Sequence, residues 1–366
     1  MDTLTHALSG ALLARATAPQ QANDPTLPLG RRVLVGFLSA AAPDLDFHIS
    51  YLGPVEYLYH HRGLTHSLIM LPLWAFLLAH LGPLVWSRDR PWRAYFGVIA
   101  LGLGIHIAGD WITSFGTMVF APLSDARVGI GSTFIIDLWF TGIILAGLAA
   151  SLAWRRSPVP AIAWLAALCG YVAFQGVLQQ RAVEWGEAHA RDAGLQQAEV
   201  TAQPRPVSPF NWMVIVRSGD EARYSFINLV RREPLRPAPD AGYIARLDAA
   251  YLPLAQAQWV HATRFGSSAA ERATAREAWS QPRFEFFRWF AEEPVLLRVD
   301  SGNPSTCAWF QDLRFFTPGR DTWPFRYGMC REGDGPWQLF QLDGNDARVP
   351  VKNGLGRSFQ APASSN

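Results

Sequence analysis

Long apolar runs fill the first half of the chain and give way to a mixed pattern in the second. Runs near 33–53, 66–86, 94–114, 134–154 and 159–179 each approach the roughly 20 residues that a helix needs to cross a bilayer core. A further apolar stretch at 3–17 predicts a helix short enough for only partial insertion. Beyond about 180, helical patterns near 180–195, 240–260 and 267–279 alternate with strand-like stretches. NWMVIVRSGDEARYSFINLV reads as two strands around a Ser-Gly-Asp turn, and alternating aromatic strands are predicted at about 283–299, 307–316 and 335–342. The pattern predicts an α-helical membrane domain of about five to six helices over 1–180. A soluble α+β domain with an antiparallel sheet follows over 181–366, ending in a polar tail after Leu355.

Composition agrees with two unlike halves. A chain of 366 residues with 49% hydrophobic and 17% charged residues is too apolar for an ordinary soluble enzyme, yet its mean hydropathy is only +0.05. The N-terminus, MDTLTHALSGALLARA, has no basic segment before its apolar stretch and carries an acid and a histidine. It is expected to be retained as a helix, not removed as a signal peptide. Arg15, Arg31 and Arg32, then Arg88, Arg90 and Arg93, then Arg155 and Arg156 fill alternate connections, which puts them on one side of a membrane. If that side is the cytoplasm, residues 181–366 lie outside it. A disulfide between Cys307 and Cys330 would be permitted there, although sequence separation alone leaves the pairing open. Cys169 reads as packing. With a net charge of +2, a single lysine (Lys352) and dispersed arginines, nucleic acid is not an expected partner.

The same topology sends the polar chemistry of the first half to the opposite face. Four stretches carry it. HIAGD at 106–110 places His106 and Asp110 on one face of a helix. PDLDF at 43–47 brings Asp44 and Asp46 to a helix broken at Pro43. HHRGLTHSL at 60–68 supplies His60, His61, Arg62 and His66, with Thr65 or Ser67 as an N-cap. His6 in the first helix and Asp137 in FIIDLWF complete the set, and His48 is an outside candidate. Each stretch alone has a bland reading as a packing pair, a solvated helix end or a wet interfacial loop. Ionisable groups near hydrocarbon are costly, however, and they persist with partners, water or a metal. Five segments delivering imidazoles and carboxylates to one face favour a metal or proton-handling site.

MDTLTHALSGALLARA, APDLDF, HHRGLTHSL and HIAGDWITSFGT together resemble the YdjM-like inner-membrane proteins over roughly residues 1–145. These are described as membrane-bound metal-dependent hydrolases, some also as LexA-binding. The resemblance implies that His6, Asp44, Asp46, His61, His66, His106, Asp110 and Asp137 fall on that family's polar motif positions. Leu138 stands where proline is expected after Asp137. The resemblance also implies a multi-pass location in the bacterial inner membrane, and the arginine topology adds a periplasmic C-terminal domain.

Histidine and aspartate ligands without a nearby cysteine suit zinc first, with manganese or iron as alternatives, and one or two ions. His61, His66, His106 and Asp110 are the first expected ligands. Asp44, Asp46, His6 and Asp137 are further ligands, orienting groups or general base, and Arg62 a stabiliser of anionic charge. The expected partners are the lipid bilayer and a lipid or lipid-linked phosphoester substrate. The competing readings are a proton- or metal-coupled transporter, since intramembrane His and Asp also build cation paths, and a non-catalytic regulatory or scaffold protein. Gly102 and Gly104 read as close helix packing rather than nucleotide binding.

Overall fold

A computed structural model describes residues 1–19, 26–86, 89–302, 304–320 and 322–351. Arg88, Lys352 and the tail after Leu355 lie outside the described residues. The helical part comprises α1 (Thr3–Ala16), α2 (Leu29–Ala41), α3 (Pro54–His60), α4 (Leu71–Val85), α5 (Trp92–Trp111), α6 (Leu138–Ala153) and α7 (Val159–Asp192). Helix α1 is central, packed on α2, α5, α6 and α7. It begins where the Asp2 carboxylate accepts the Thr5 amide at 3.0 Å, closing one of the open donors of the first turn.

Several boundaries differ from the sequence pattern. The run 33–53 is not one helix: α2 stops at Ala41, and the chain continues as a 3₁₀ segment, Ala42–Leu52. Proline has no amide proton and disfavours helical backbone before it, so the α-helical ladder ends ahead of Pro43. Next, α3 and a 3₁₀ turn at Leu64–His66 meet α4 at a 77° bend. By length and composition, two helices among the described residues, α5 and α7, are long and apolar enough to cross a membrane. A third joins them if the bent pair counts as one. The 159–179 run and the helix read at 180–195 are a single helix, α7, which carries the chain from the apolar bundle into the β-rich region.

Two five-stranded sheets follow. The first contains β1 (Glu199–Pro204), β2 (Asn211–Ser218), β3 (Glu221–Asn228), β4 (Leu252–Pro253) and β5 (Val260–Thr263). The hairpin read around Ser-Gly-Asp is present, with Ser218 opposite Glu221. The second is fully antiparallel, in the order β10 (Arg348–Pro350), β9 (Gln338–Leu342), β8 (Tyr327–Glu332), β7 (Ser305–Asp312), β6 (Pro294–Ser301). Between β3 and β6 lie α8 (Tyr243–Ala249), α9 (Ala269–Trp279) and α10 (Glu285–Phe290). The strand expected from 283 is a helix up to Phe290 and a strand only from Pro294, because Phe284, Phe286, Phe287 and Phe290 all turn into one core. The helix expected over 240–260 is cut to the seven residues of α8.

Strand β2 is buried on both faces, in keeping with its continuous apolar run Trp212–Val216. Trp212 and Val214 face Leu178 and Ala182 of α7, while Met213 and Ile215 face Val295 and Leu313. The outer half of α7 and the two sheets thus stack as layers. Gly186 permits the first contact, because a Cβ there would lie 2.6 Å from both Val200 and Val214. Cys307 and Cys330 sit opposite each other on β7 and β8 and are bonded.

The basic connections meet at one end of the helices. Arg15 donates to the carbonyls of Arg155 (3.0 Å) and Ser157 (2.5 Å), and Arg31 pairs with Asp89 at 2.7 Å. Helix α5 starts at that end and carries His106 and Asp110 near its other end, beneath the β-rich domain.

Candidate metal centre

Helix α5 supplies His106 and Asp110, the 3₁₀ segment after α2 supplies Asp44 and Asp46, and the turn after α3 supplies His61, Arg62 and His66. His66, His106 and Asp110 are fully buried, and Asp44 and Asp46 nearly so. One atom from each of Asp44, His66, His106 and Asp110 lies within 4.8 Å of the others, a group that can hold a metal ion.

Hydrogen bonding fixes what these atoms present. His106 Nδ1 lies 2.6 Å from the Ala40 carbonyl and must donate to it, which leaves a lone pair on Nε2. Thr65 Oγ1 donates to Asp46 Oδ2 at 2.7 Å, so its oxygen accepts from His66 Nδ1 at 2.9 Å, and a neutral His66 then presents Nε2 as a lone pair. The two Nε2 atoms are 2.9 Å apart. Asp110 Oδ2 is 3.2 and 3.5 Å from them, and Asp44 Oδ1 is 3.7 Å from each. Asp110 Oδ2 is buried with no hydrogen-bond partner. Lone pairs and carboxylate oxygens turned on one another repel unless a cation joins them. Bonds of about 2.0–2.2 Å to a tetrahedral ion separate neighbouring donors by about 3.3 Å, within the spread observed.

The surrounding residues hold the donors in place. Thr3 donates to Asp44 Oδ2 at 2.7 Å. Asp46 takes His61 Nδ1 at 2.6 Å and the Arg62 amide at 3.1 Å, and approaches His66 Nδ1 at 3.3 Å. Arg62 sits at φ 60°, a left-handed conformation that a bulky residue adopts only under constraint. The Asp46 contact on its amide and the Met118 amide on its carbonyl (2.9 Å) supply that constraint. Its guanidinium binds Asp110 Oδ1 at 2.8 Å and Thr113 at 2.9 Å. His6 reaches the same Asp110 oxygen at 3.0 Å and stacks on His106 at 3.8 Å, and the Met1 amino group also lies against that oxygen.

The sequence-derived set therefore divides. Asp44, His66, His106 and Asp110 converge. Asp46, His61, His6 and Arg62 surround them, Asp46 and His61 as an adjoining pair. Asp137 stands apart: it caps α6 through the amides of Trp139 (2.9 Å) and Phe140 (3.0 Å) and accepts from Tyr171 (2.8 Å). It does so with Leu138 in the position where proline was expected. His48 is exposed and bonded to its own turn, His60 pairs with Glu56, and His80 is bonded to Phe76 and stacked on Trp92. Ser67 accepts the Ile69 and Met70 amides, a cap just ahead of α4.

The role of Phe115 and Arg127 was not visible in the sequence. Phe115 follows the metal-site helix, contacts His61 (5.6 Å) and packs against Phe290, Phe315 and Phe325 of the β-rich domain. Arg127 donates to the carbonyls of Leu58, His61 and Gly116. An isolated Phe or Arg in a loop carries no pattern; the only signal was their closeness to HIAGD.

Fold and site define an apolar helical protein with a buried histidine–carboxylate centre roofed by a β-rich domain. Residues 1–182 match the model of the YdjM inner membrane protein, and through this region the chain belongs to that family. It is also 26% identical over 187 residues, half of this chain, to the uncharacterized protein YfhP of Bacillus subtilis (strain 168). The chain spans about half the length, 55%, of that curated relative. No solved structure matches.

Proposed function

We propose that the protein is a multi-pass, membrane-bound, metal-dependent hydrolase acting at the outer bilayer–water boundary on a lipid or lipid-linked phosphoester. The observation that carries this reading is the meeting of two imidazole lone pairs and two carboxylate oxygens in a buried site. The donor set fits zinc first, and manganese or iron next. A divalent ion bound there polarises a phosphoryl or carbonyl oxygen and acidifies water.

The chain's own groups do the rest. The Ala40 carbonyl and the Asp46–Thr65 pair hold both imidazoles with Nε2 inward. Arg62 and His6 offset and orient the Asp110 carboxylate. His61, gripped at Nδ1 by Asp46, keeps Nε2 for proton transfer, so the pair is the candidate general base. Asp46 acts through His61 and His66 in this scheme. With the arginine-rich connections in the cytoplasm, the centre and the β-rich domain face the periplasm. A site at that level meets amphiphiles before soluble metabolites.

The test is metal content per chain in detergent-purified protein, for wild type, His106→Ala and Asp110→Ala, with helicity checked by circular dichroism. Metal bound stoichiometrically by wild type and lost in both folded variants is expected. Folded wild type that takes up no added zinc, manganese or iron would sink the reading. Phospholipids and lipid-linked phosphates left intact by loaded protein would remove the phosphoester and keep the metal centre.

A further inference from the structure

The β-rich domain carries an apolar and basic segment that its own core does not use. Between β3 and the end of α8, Val230, Leu235, Tyr243 and Ile244 are 44–59% exposed. Arg232, Arg236 and Arg246 are interleaved with them, make no side-chain ion pair among the described residues, and outnumber the acidic Glu233 and Asp240 of the same segment. Pro234, Pro237 and Pro239 keep most of the stretch from folding back as helix.

Its position is tied to α7. About 20 residues of α7 from Val159 make a span, which ends close to Val177; Phe174 and Val177 there are exposed and apolar. Tyr171 bonds Asp137 at the start of α6, marking the same level on the neighbouring helix. Phe174 meets Phe210 edge to face at 5.9 Å, and the Leu229 amide donates to the Phe210 carbonyl at 3.0 Å. The segment thus leaves the fold beside the last turn of the span. Its far end is tied back to the same edge. Arg231 bonds Asp248 (2.9 Å) and the Tyr251 carbonyl (2.6 Å), and Asn211 bonds Asp248 (2.7 Å).

We infer that residues 229–246 are a second membrane contact, lying in the headgroup layer of the bilayer that α7 crosses. Val230, Leu235, Tyr243 and Ile244 face the acyl boundary, and the three arginines meet lipid phosphates. Alternating arginine with aliphatic and tyrosine side chains is the composition of interfacial segments. The contact would hold the β-rich domain against the membrane at the end of the helices where the four donors lie. The inference rests on α7 spanning the bilayer, as proposed above.

The experiment uses the full chain with Cys169→Ser, the Cys307–Cys330 bond left intact, and one added cysteine carrying an environment-sensitive fluorophore. The positions are Leu235→Cys, Ile244→Cys, Val177→Cys on the span and Ala273→Cys on the exposed face of α9. In vesicles of phosphatidylethanolamine and phosphatidylglycerol, a lipid-borne nitroxide is expected to cut emission about twofold at 177, 235 and 244 and to leave 273 unchanged. Quenching at 177 with aqueous emission at 235 and 244 overturns the inference and leaves the span. Aqueous emission at all four overturns the span as well.

Discussion

Gly102 of α5 lies directly against the Ser39 side chain of α2, and a Cβ on Gly102 would come within 3.2 Å of the Ala40 amide. This closeness sets the Ala40 carbonyl 2.6 Å from His106 Nδ1, one turn further along α5. A helix-packing glycine therefore determines which imidazole nitrogen faces Asp44, His66 and Asp110. Gly102→Ala should push the helices apart, lengthen that bond and lower metal affinity about tenfold or more. Overpacking should also cost about 1–3 kcal/mol in stability. Competitive chelator titration and thermal melting read the two effects separately; wild-type metal affinity in the variant would refute the link.

Asp46 is not in the four-donor group, yet it governs two of the imidazoles around it. Asp46→Asn keeps the shape but offers a neutral amide to His61 and to the Thr65–His66 pair. Partners of this kind typically contribute 10–100-fold in metal affinity. The variant should bind the same number of ions per chain with affinity lower by about that factor. Halved stoichiometry instead would make Asp46 a ligand.

The sequence announced these residues because carboxylates and imidazoles in apolar surroundings need a reason to be there. His66, His106 and Asp110, three of the first expected ligands, meet Asp44, while His61 turns to Asp46 instead. The sequence could not separate donors from capping groups: Asp137 has the same chemistry and spacing to the membrane face, but its two amide bonds at α6 are set by backbone geometry. The hairpin of β2 and β3 was legible because two apolar stretches flank a Ser-Gly-Asp turn. The pattern failed at 284–290, where a dense aromatic run fits a buried helix as well as a strand. Helix length was misread at α2, where hydropathy stays high through Ala42–Leu52 although Pro43 ends the α-helical ladder.

In the β-rich domain, Glu293 is 4% exposed with Oε2 unpartnered. Burial raises its pKa from the ordinary 4.5 to about 7, against the pull of Arg217 at 3.7 Å and the Thr201 hydrogen bond. The folded chain therefore keeps a proton that the unfolded chain releases between those values. Stability from this group is full below pH 4.5 and falls as pH rises to about 7, by roughly 3 kcal/mol at 1.36 kcal/mol per unit. Glu293→Gln should flatten that part of the profile and melt above wild type at pH 8. Urea melts of both proteins across the range decide it, and an unchanged slope would assign the pH dependence elsewhere.

Cys307 and Cys330 close a loop with a sequence separation of 23 between adjacent strands. Chain-entropy reasoning gives such a bridge about 3 kcal/mol. Paired Cys307→Ser and Cys330→Ser should lower the melting temperature of the β-rich domain and leave metal content untouched, because the centre lies in other elements. Chelator titration beside a melting scan checks both parts. Metal lost with the disulfide would mean that the roof helps to hold the ion.

Phe115 makes that distinction sharper, since its ring touches both roof and centre. Its ring meets Phe290 at 5.4 Å and Phe325 at 5.8 Å, and Arg62 and Arg127 each at 4.9 Å. The four donors are held by other bonds: Ala40 for His106, Thr3 for Asp44, Thr65 for His66 and Arg62 for Asp110. Only the last of these touches Phe115. Phe115→Ala should therefore cost about 3–5 kcal/mol of packing and free the roof while the ion stays bound. Limited proteolysis should then cut within 112–133 faster than in wild type, with metal stoichiometry unchanged. Faster cleavage accompanied by metal loss would show that the guanidinium of Arg62, steadied by this ring, is needed to keep Asp110 in place.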